Sequence, residues 1–209
     1  MKRRKAIQSL CAALGYTLTP GTVTGLLLSC EAKKSEPFWE PMFFEQKDAN
    51  LVAQLGEAFL PRTQTPGAKD VGAHIFVDVF MGKVSGSEDQ ELFRKGVKAL
   101  RSKFEKITQK PIIDGGTMDY SKVLHTLYGV PKDKQPTITQ LLDGGVPEGK
   151  EEKENFYTYS FLRIFKKILM MGYYASKEIG ENVLSYLPVP GDYEGCIPVE
   201  SVGRAWSIT

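Results

Sequence analysis

"EKENFYTYSFLRIFKKILMMGYY", residues 152–174, carries the strongest helical pattern in the chain. Phe161, Phe165 and Leu169 recur every four residues, with Leu162 and Ile168 beside them, so they line one face of a helix. Strict apolar/polar alternation, the mark of a half-buried strand, is missing here and scarce throughout. An apolar helical face needs other helices to cover it, and the preceding sequence supplies them.

In "EQKDANLVAQLGEAFL", residues 45–60, Leu51, Leu55 and Phe59 form a stripe that stops at Pro61. Thr65-Pro66-Gly67 then fixes a turn. Residues 68–82 place Val71, Ile75 and Val79 on a second stripe, with Phe76 and Phe80 alongside. Ser87 with Gln90 is spaced like a capping box and opens a third helix, on which Leu92, Gly96, Leu100 and Phe104, with Val97, share a face as far as Thr108. Gly115-Gly116, Pro131, Pro136, Gly144-Gly145 and Pro147 leave room for two short helices, near 119–128 and 137–142. From Tyr186 onward Pro188, Pro190, Gly191 and Pro198 predict an extended C-terminal arm. The expected fold is mostly α: a compact helical domain over 45–209 that ends in that arm.

The 209 residues carry a formal net charge of +2. Lys2, Arg3, Arg4 and Lys5 take four of the 27 basic residues and none of the 25 acidic ones, leaving 23 against 25 beyond residue 29. That balance provides no general basic surface for nucleic acid. The same four cations open "MKRRKAIQSLCAALGYTLTPGTVTGLLLSC", whose apolar middle and small residue before Cys30 have the layout of an export signal. The polar residues from Gln8 to Thr24 leave it short of the ~20 apolar residues of a spanning helix, and Pro20, Gly21 and Gly25 would break a core helix. Leu27-Leu28-Ser29-Cys30 resembles a bacterial lipobox, which makes Cys30 the acylated first residue of the mature chain, with residues 30–44 as a tether to the domain. Arg3-Arg4 resembles a twin-arginine signal; a plain secretory leader is the alternative reading of the same residues.

Motifs that carry chemistry are missing. Cys11, Cys30 and Cys196 form no C-x-x-C, and His74 and His125 are the only imidazoles, so no transition-metal site is expected. "GGVPEGKE", residues 144–151, approaches a phosphate-binding loop but puts Glu151 where a Mg²⁺-binding hydroxyl belongs. No G-x-G, G-x-S-x-G or H-E-x-x-H occurs. His74 sits in the apolar stripe of the second helix and His125 beside Leu124 and Leu127, so both read as structural; Asp70 and Asp78 read as one polar flank. What remains is aromatic: Tyr173, Tyr174, Tyr186, Tyr193 and Trp206, with Pro190 among the stiffening prolines, are candidate partner-interface residues. The competing reading is that they cover the protein's own core.

"LPRTQTPGAKDVGAHIFVD", residues 60–78, resembles the signature of the gluconate 2-dehydrogenase subunit 3 family: a helix ending in proline, a T-P-G-A turn, and an aromatic-x-Asp closing the next helix. "LMMGYYASKEIGENVLSYLPVPGDYEGCIPVESVGRAW", residues 169–206, is similar to the family's C-terminal region. The resemblance implies a small subunit of a periplasmic FAD-dependent sugar or polyol dehydrogenase. The FAD lies in a separate large subunit, this chain holds no cofactor and has no active site of its own, and a cytochrome c accepts the electrons. Some such subunits escort a leaderless large subunit through twin-arginine export. Together with the lipobox, this implies a non-catalytic subunit lipid-anchored to a membrane on the periplasmic side of a bacterial envelope. A stand-alone envelope lipoprotein that binds carbohydrate is the alternative.

Labelling with a fatty-acid analogue is expected to tag the wild-type chain and leave Cys30→Ser untagged and soluble. Tagging that persists in the variant rules out acylation at this cysteine.

Overall fold

The computed structural model describes residues 39–129, 131, 135–189, 191–192 and 195–207. Arg3, Arg4, Cys30, Pro190 and Tyr193, and with them the export signal and nearly all of the tether, lie outside the described residues. The chain divides into two units, Met1–Trp39 and Glu40–Thr209, and every described helix belongs to the second.

The helices are α1 (Gln46–Phe59), α2 (Ala73–Lys83), α3 (Ser87–Thr108), α4 (Thr117–Tyr128), α5 (Gln135–Asp143), α6 (Lys150–Tyr174), α7 (Lys177–Asn182) and α8 (Val199–Val202), with a 3-10 turn at Ile112–Asp114 before α4. No β-strand occurs among the described residues, where the extended pairing is confined to an isolated bridge between Ser185 and Trp206. The fold is mostly α, as the spacing predicts.

α6 starts after Gly149, with Glu151 and Glu152 in its first turn, where carboxylates meet the positive end of the helix dipole. Its buried residues run from Phe156 to Tyr173 and face more than one neighbour: α3 packs along one stretch of α6 and α2 along another, with α5 and α1 completing the cover. At the α3 crossing a Cβ on Gly96 would stand 2.2 Å from Cβ of Phe161. At the α2 crossing a Cβ on Gly172 would stand 2.6 Å from the Phe76 ring. Each glycine lets a partner side chain lie directly on helix backbone. Phe93 then stacks edge-on against Phe161 at 4.6 Å, and Phe161, Phe93, Leu100, Leu162, Phe165 and Leu169 are all fully buried. α1 closes the other side with Leu51, Val52 and Leu55, and covers Tyr120 and Val123 of α4.

Helix boundaries depart from the spacing where backbone chemistry intervenes. The second helix begins at Ala73 rather than 68, because Gly72 has a left-handed φ of 66° and residues 68–72 form turns. Ser87 is the first residue of α3 and Gly86 takes the cap position; the Gln90 amide donates instead to the carbonyls of Met81 and Ser85, tying α3 to the end of α2. Residues 40–44, expected at the end of the tether, belong to the folded unit, and Phe44 is buried. The expected extended arm is a closed loop: Ser185 N–H donates to Ala205 O at 2.9 Å, Ser207 N–H donates to Ser185 O at 2.8 Å, and the Ser185 hydroxyl donates to Val202 O. The prolines stiffen the backbone but do not hold it open, since paired amides close the loop at its base.

α3 and α6 also share charge. Glu154 on α6 accepts from Lys106 at 2.8 Å and lies 3.7 Å from Lys103. Burial alone would raise its pKa, but hydrogen bonds from Lys106 and Ser102 and the two lysine charges outweigh that and hold it below the ordinary 4.5. The stability contributed is therefore present above 4.5 and lost as pH falls through the lowered value. Glu154→Gln is expected to be less stable than wild type at neutral pH and to converge with it in acid, by melting temperature against pH.

Gly96→Ala gains ~1 kcal/mol of helix propensity, yet the added methyl has no room at the α3/α6 crossing, and overpacking costs about 1–3 kcal/mol. A melting temperature several degrees lower is expected. A raised one would mean that the helices do not approach this closely.

Candidate functional site

The polar groups that shape the surface converge on the lead-in to α1 and on the turn between α1 and α2. Asp78, 1 % exposed, accepts three successive backbone N–H groups: Met42 at 2.7 Å, Phe43 at 2.9 Å and Phe44 at 2.9 Å. A carboxylate is an acceptor with about four lone-pair sites, which suits three converging donors. Asp78 is therefore no surface flank and forms no pair with Asp70.

The turn is clamped from three sides. Glu57 at the end of α1 accepts Arg62 N–H and Lys69 N–H, each at 3.0 Å. Asp70 accepts Gly67 N–H at 2.8 Å and both nitrogens of the Arg62 fork. That pairing lowers the Asp70 pKa and raises that of Arg62, through the side-chain hydrogen bond first. Gly67 is required because a Cβ there would stand 2.5 Å from Glu57 Oε1 and 2.7 Å from Arg62 N. From α6, the Tyr173 hydroxyl donates to Pro66 O at 2.7 Å. Pro61 to Gln64 stay exposed on this fixed base.

This geometry corrects one expected interface residue. Tyr173 is 7 % exposed and committed to the turn, so it is a tie within the subunit and not an anchor for a partner. Tyr174 packs edge-on against it and is 38 % exposed. In the C-terminal loop Tyr186 is 40 % and Trp206 50 % exposed, and Leu187, Val189, Ile197 and Val199 are exposed beside them in sequence. Cys196 is a free, exposed thiol.

Residues considered for catalysis are dispersed. His74 is buried on α2, while His125 is exposed near the end of α4. Among the described residues no group of three or more His, Cys, Asp or Glu side chains could hold a metal ion. In "GGVPEGKE", Gly149 caps α6 and Lys150 is its first residue. One cleft of about 380 Å³ lies between the lead-in to α1 and α3, lined by Phe43, Asp48, Arg94 and Arg101 among others, and two more lie elsewhere. Tyr128, Ile138, Leu142, Tyr159, Arg163, Lys166, Lys167 and Met170 line a cleft of about 380 Å³ between α4, α5 and α6. A second cleft of about 410 Å³ adjoins it, sharing Tyr128 and Lys166 and adding Ser121 and His125. Partial withdrawal from water, with Tyr159 adding to it, pushes the Tyr128 hydroxyl up to about 12, so it remains a donor at neutral pH. The Tyr159 hydroxyl, also raised by burial, donates to Leu127 O at 3.1 Å.

The T-P-G-A turn is thus clamped by Glu57, Asp70 and Tyr173, while Asp78, inside α2, holds the lead-in to α1. The sequence model of the family described as gluconate 2-dehydrogenase subunit 3 matches residues 46–191, well over half of the chain. The chain belongs to the gluconate 2-dehydrogenase subunit 3 family. No curated protein and no solved structure matches it. The family match takes in α1 to α7 and ends within the C-terminal loop, so Cys196, α8 and Trp206 lie beyond it.

Sequence reasoning passed over Asp78 and Glu57 as clamps. For Glu57 the signal available was its place five residues before Arg62, at the edge of a turn whose amides no helix can satisfy; for Asp78, whose donors lie more than thirty residues earlier, there was none. Asp78→Ala leaves three amides without an acceptor at about 1–3 kcal/mol each when buried. It is expected to destabilise the fold severely and to expose residues 40–45 to protease. Tyr173→Phe removes one neutral hydrogen bond, about 1 kcal/mol, and is expected to lower the melting temperature by a few degrees while keeping the helical circular dichroism.

Proposed function

We propose that this chain is the non-catalytic small subunit of a flavin-dependent sugar dehydrogenase, and that it stabilises, escorts and anchors the FAD-bearing large subunit. Membership of the subunit 3 family supports a place in such a complex. The C-terminal loop is the observation that carries the docking role. Tyr186, Leu187, Val189, Ile197, Val199 and Trp206 all stand exposed on a loop closed by the Ser185 amides. Exposed apolar clusters mark interaction surfaces, and a loop already closed loses less entropy on docking than a free tail.

On this reading the export leader carries the assembled complex outward. A flavoprotein folds around its cofactor, so passage of the folded pair suits a twin-arginine signal at Arg3-Arg4. Acylation at Cys30 then holds the complex on the periplasmic side of a membrane, and a cytochrome c takes electrons from the flavin subunit. The chemistry on the sugar belongs to the large subunit.

Trp206→Ala tests the docking role. Trp206 is half exposed, so its loss is expected to leave the melting temperature unchanged. A well-buried interface tryptophan contributes about 2 kcal/mol or more, roughly a thirtyfold loss of affinity on truncation. Lost co-purification with a co-expressed FAD-bearing large subunit, fold intact, is the expected result. Unchanged co-purification removes the loop from the interface. Retained binding to a carbohydrate column by the isolated wild-type chain would favour the stand-alone lipoprotein.

A further inference from the structure

The groove between α4, α5 and α6 has a charge pattern that neither the fold nor the proposed complex uses. From Asn155 to Tyr174, α6 carries Arg163, Lys166 and Lys167 and no acidic residue. All three cations are exposed, and all three line the same cleft. Several other cations of the helical unit are paired with carboxylates: Arg62 with Asp70, Lys95 with Glu91, Arg101 with Asp48, Lys103 and Lys106 with Glu154, Lys110 with Asp119. Among the described residues no such pair forms at Arg163, Lys166 or Lys167 and no carboxylate lines either cleft. Lys166 Nζ lies 6.0 Å from the centre of the Tyr128 ring, and that ring forms a wall shared by both clefts. Three like charges gathered beside one another on one helix repel unless an anion sits among them.

The floor decides which anion fits. Ile138, Leu142, Met170 and the two tyrosine rings make it apolar. The Tyr159 hydroxyl is committed to Leu127 O, so the Tyr128 hydroxyl is the donor the tyrosines retain for a ligand. A free inorganic anion would satisfy the rim and leave this floor wet. An acidic peptide would bring backbone amides and carbonyls that the floor cannot satisfy. A molecule with a phosphate at one end and methylene chains at the other satisfies both parts.

We infer that this groove binds an anionic phospholipid, its phosphate held by Arg163, Lys166 and Lys167 and its acyl chain lying across Tyr128, Ile138, Leu142 and Met170. The site then seats the helical unit on an anionic bilayer surface, whatever holds residue 30. Overall charge cannot substitute for it, because the chain beyond residue 29 carries more acidic than basic residues. Juxtaposed cations at an anionic surface strengthen binding together, and salt weakens it.

The test uses the full chain with Cys30→Ser, purified without the flavoprotein, so that neither an acyl anchor nor docking contributes. It is sedimented with vesicles of phosphatidylcholine alone and of phosphatidylcholine with a third phosphatidylglycerol. Binding to the second only, falling with salt, is expected. Arg163→Gln, Lys166→Gln and Lys167→Gln together should weaken it by roughly tenfold to a hundredfold. Lys83→Gln, Lys98→Gln and Lys150→Gln, which remove the same charge elsewhere, should leave it within about twofold, and both variants should keep the wild-type melting temperature. Equal loss in the two variants, or no preference for phosphatidylglycerol, overturns the site. Competition by soluble glycerol phosphate at the affinity of the vesicles overturns the lipid as its occupant. So does a groove variant that binds vesicles normally and loses the flavoprotein.

Discussion

α6 can be buried on two sides only because two glycines let its neighbours touch backbone. Gly96 on α3 accepts Phe161 of α6, and Gly172 on α6 accepts Phe76 of α2. Between these crossings Phe161, Leu162, Phe165 and Leu169 lose all contact with water, each contributing about 1.5–3 kcal/mol of transfer free energy. A single methyl at either crossing would push the helices apart and open the interior it borders. The residue after Gly172 is Tyr173, and its hydroxyl reaches Pro66 O, so the α2 crossing and the T-P-G-A turn are set by adjacent positions of one helix.

The turn itself is a polar construction resting on that apolar one. Glu57, Asp70 and Tyr173 satisfy amides and a carbonyl that no helix can reach, and Gly67 leaves the Glu57 carboxylate space to do so. Pro66 and Tyr173, some hundred positions apart in the chain, therefore meet at one turn.

Much of this was legible in the residues. The spacing of Phe161, Phe165 and Leu169 identifies the central helix, the breakers between 109 and 150 bound two short helices where α4 and α5 stand, and Pro61 marks the end of α1. Roles set by distant partners were not legible. Asp78 follows an apolar stripe and reads as a flank, yet its acceptors are wanted by amides more than thirty residues earlier. Tyr173 looks like any interface tyrosine until Pro66 is beside it. The C-terminal prolines suggest an open arm, whereas Ser185, an unremarked small polar residue, closes it. Periodicity reports which face a side chain takes and is silent on what meets it there.

The grip of Asp78 on Met42, Phe43 and Phe44 also has a mechanical meaning. Tension applied along the N-terminal segment meets three successive amides, from Met42 to Phe44, held by one carboxylate. Three bonds to one buried carboxylate on α2 share the load and join the lead-in of α1 to the packed interior. A chain pulled from its N-terminal side is stitched there to its own core.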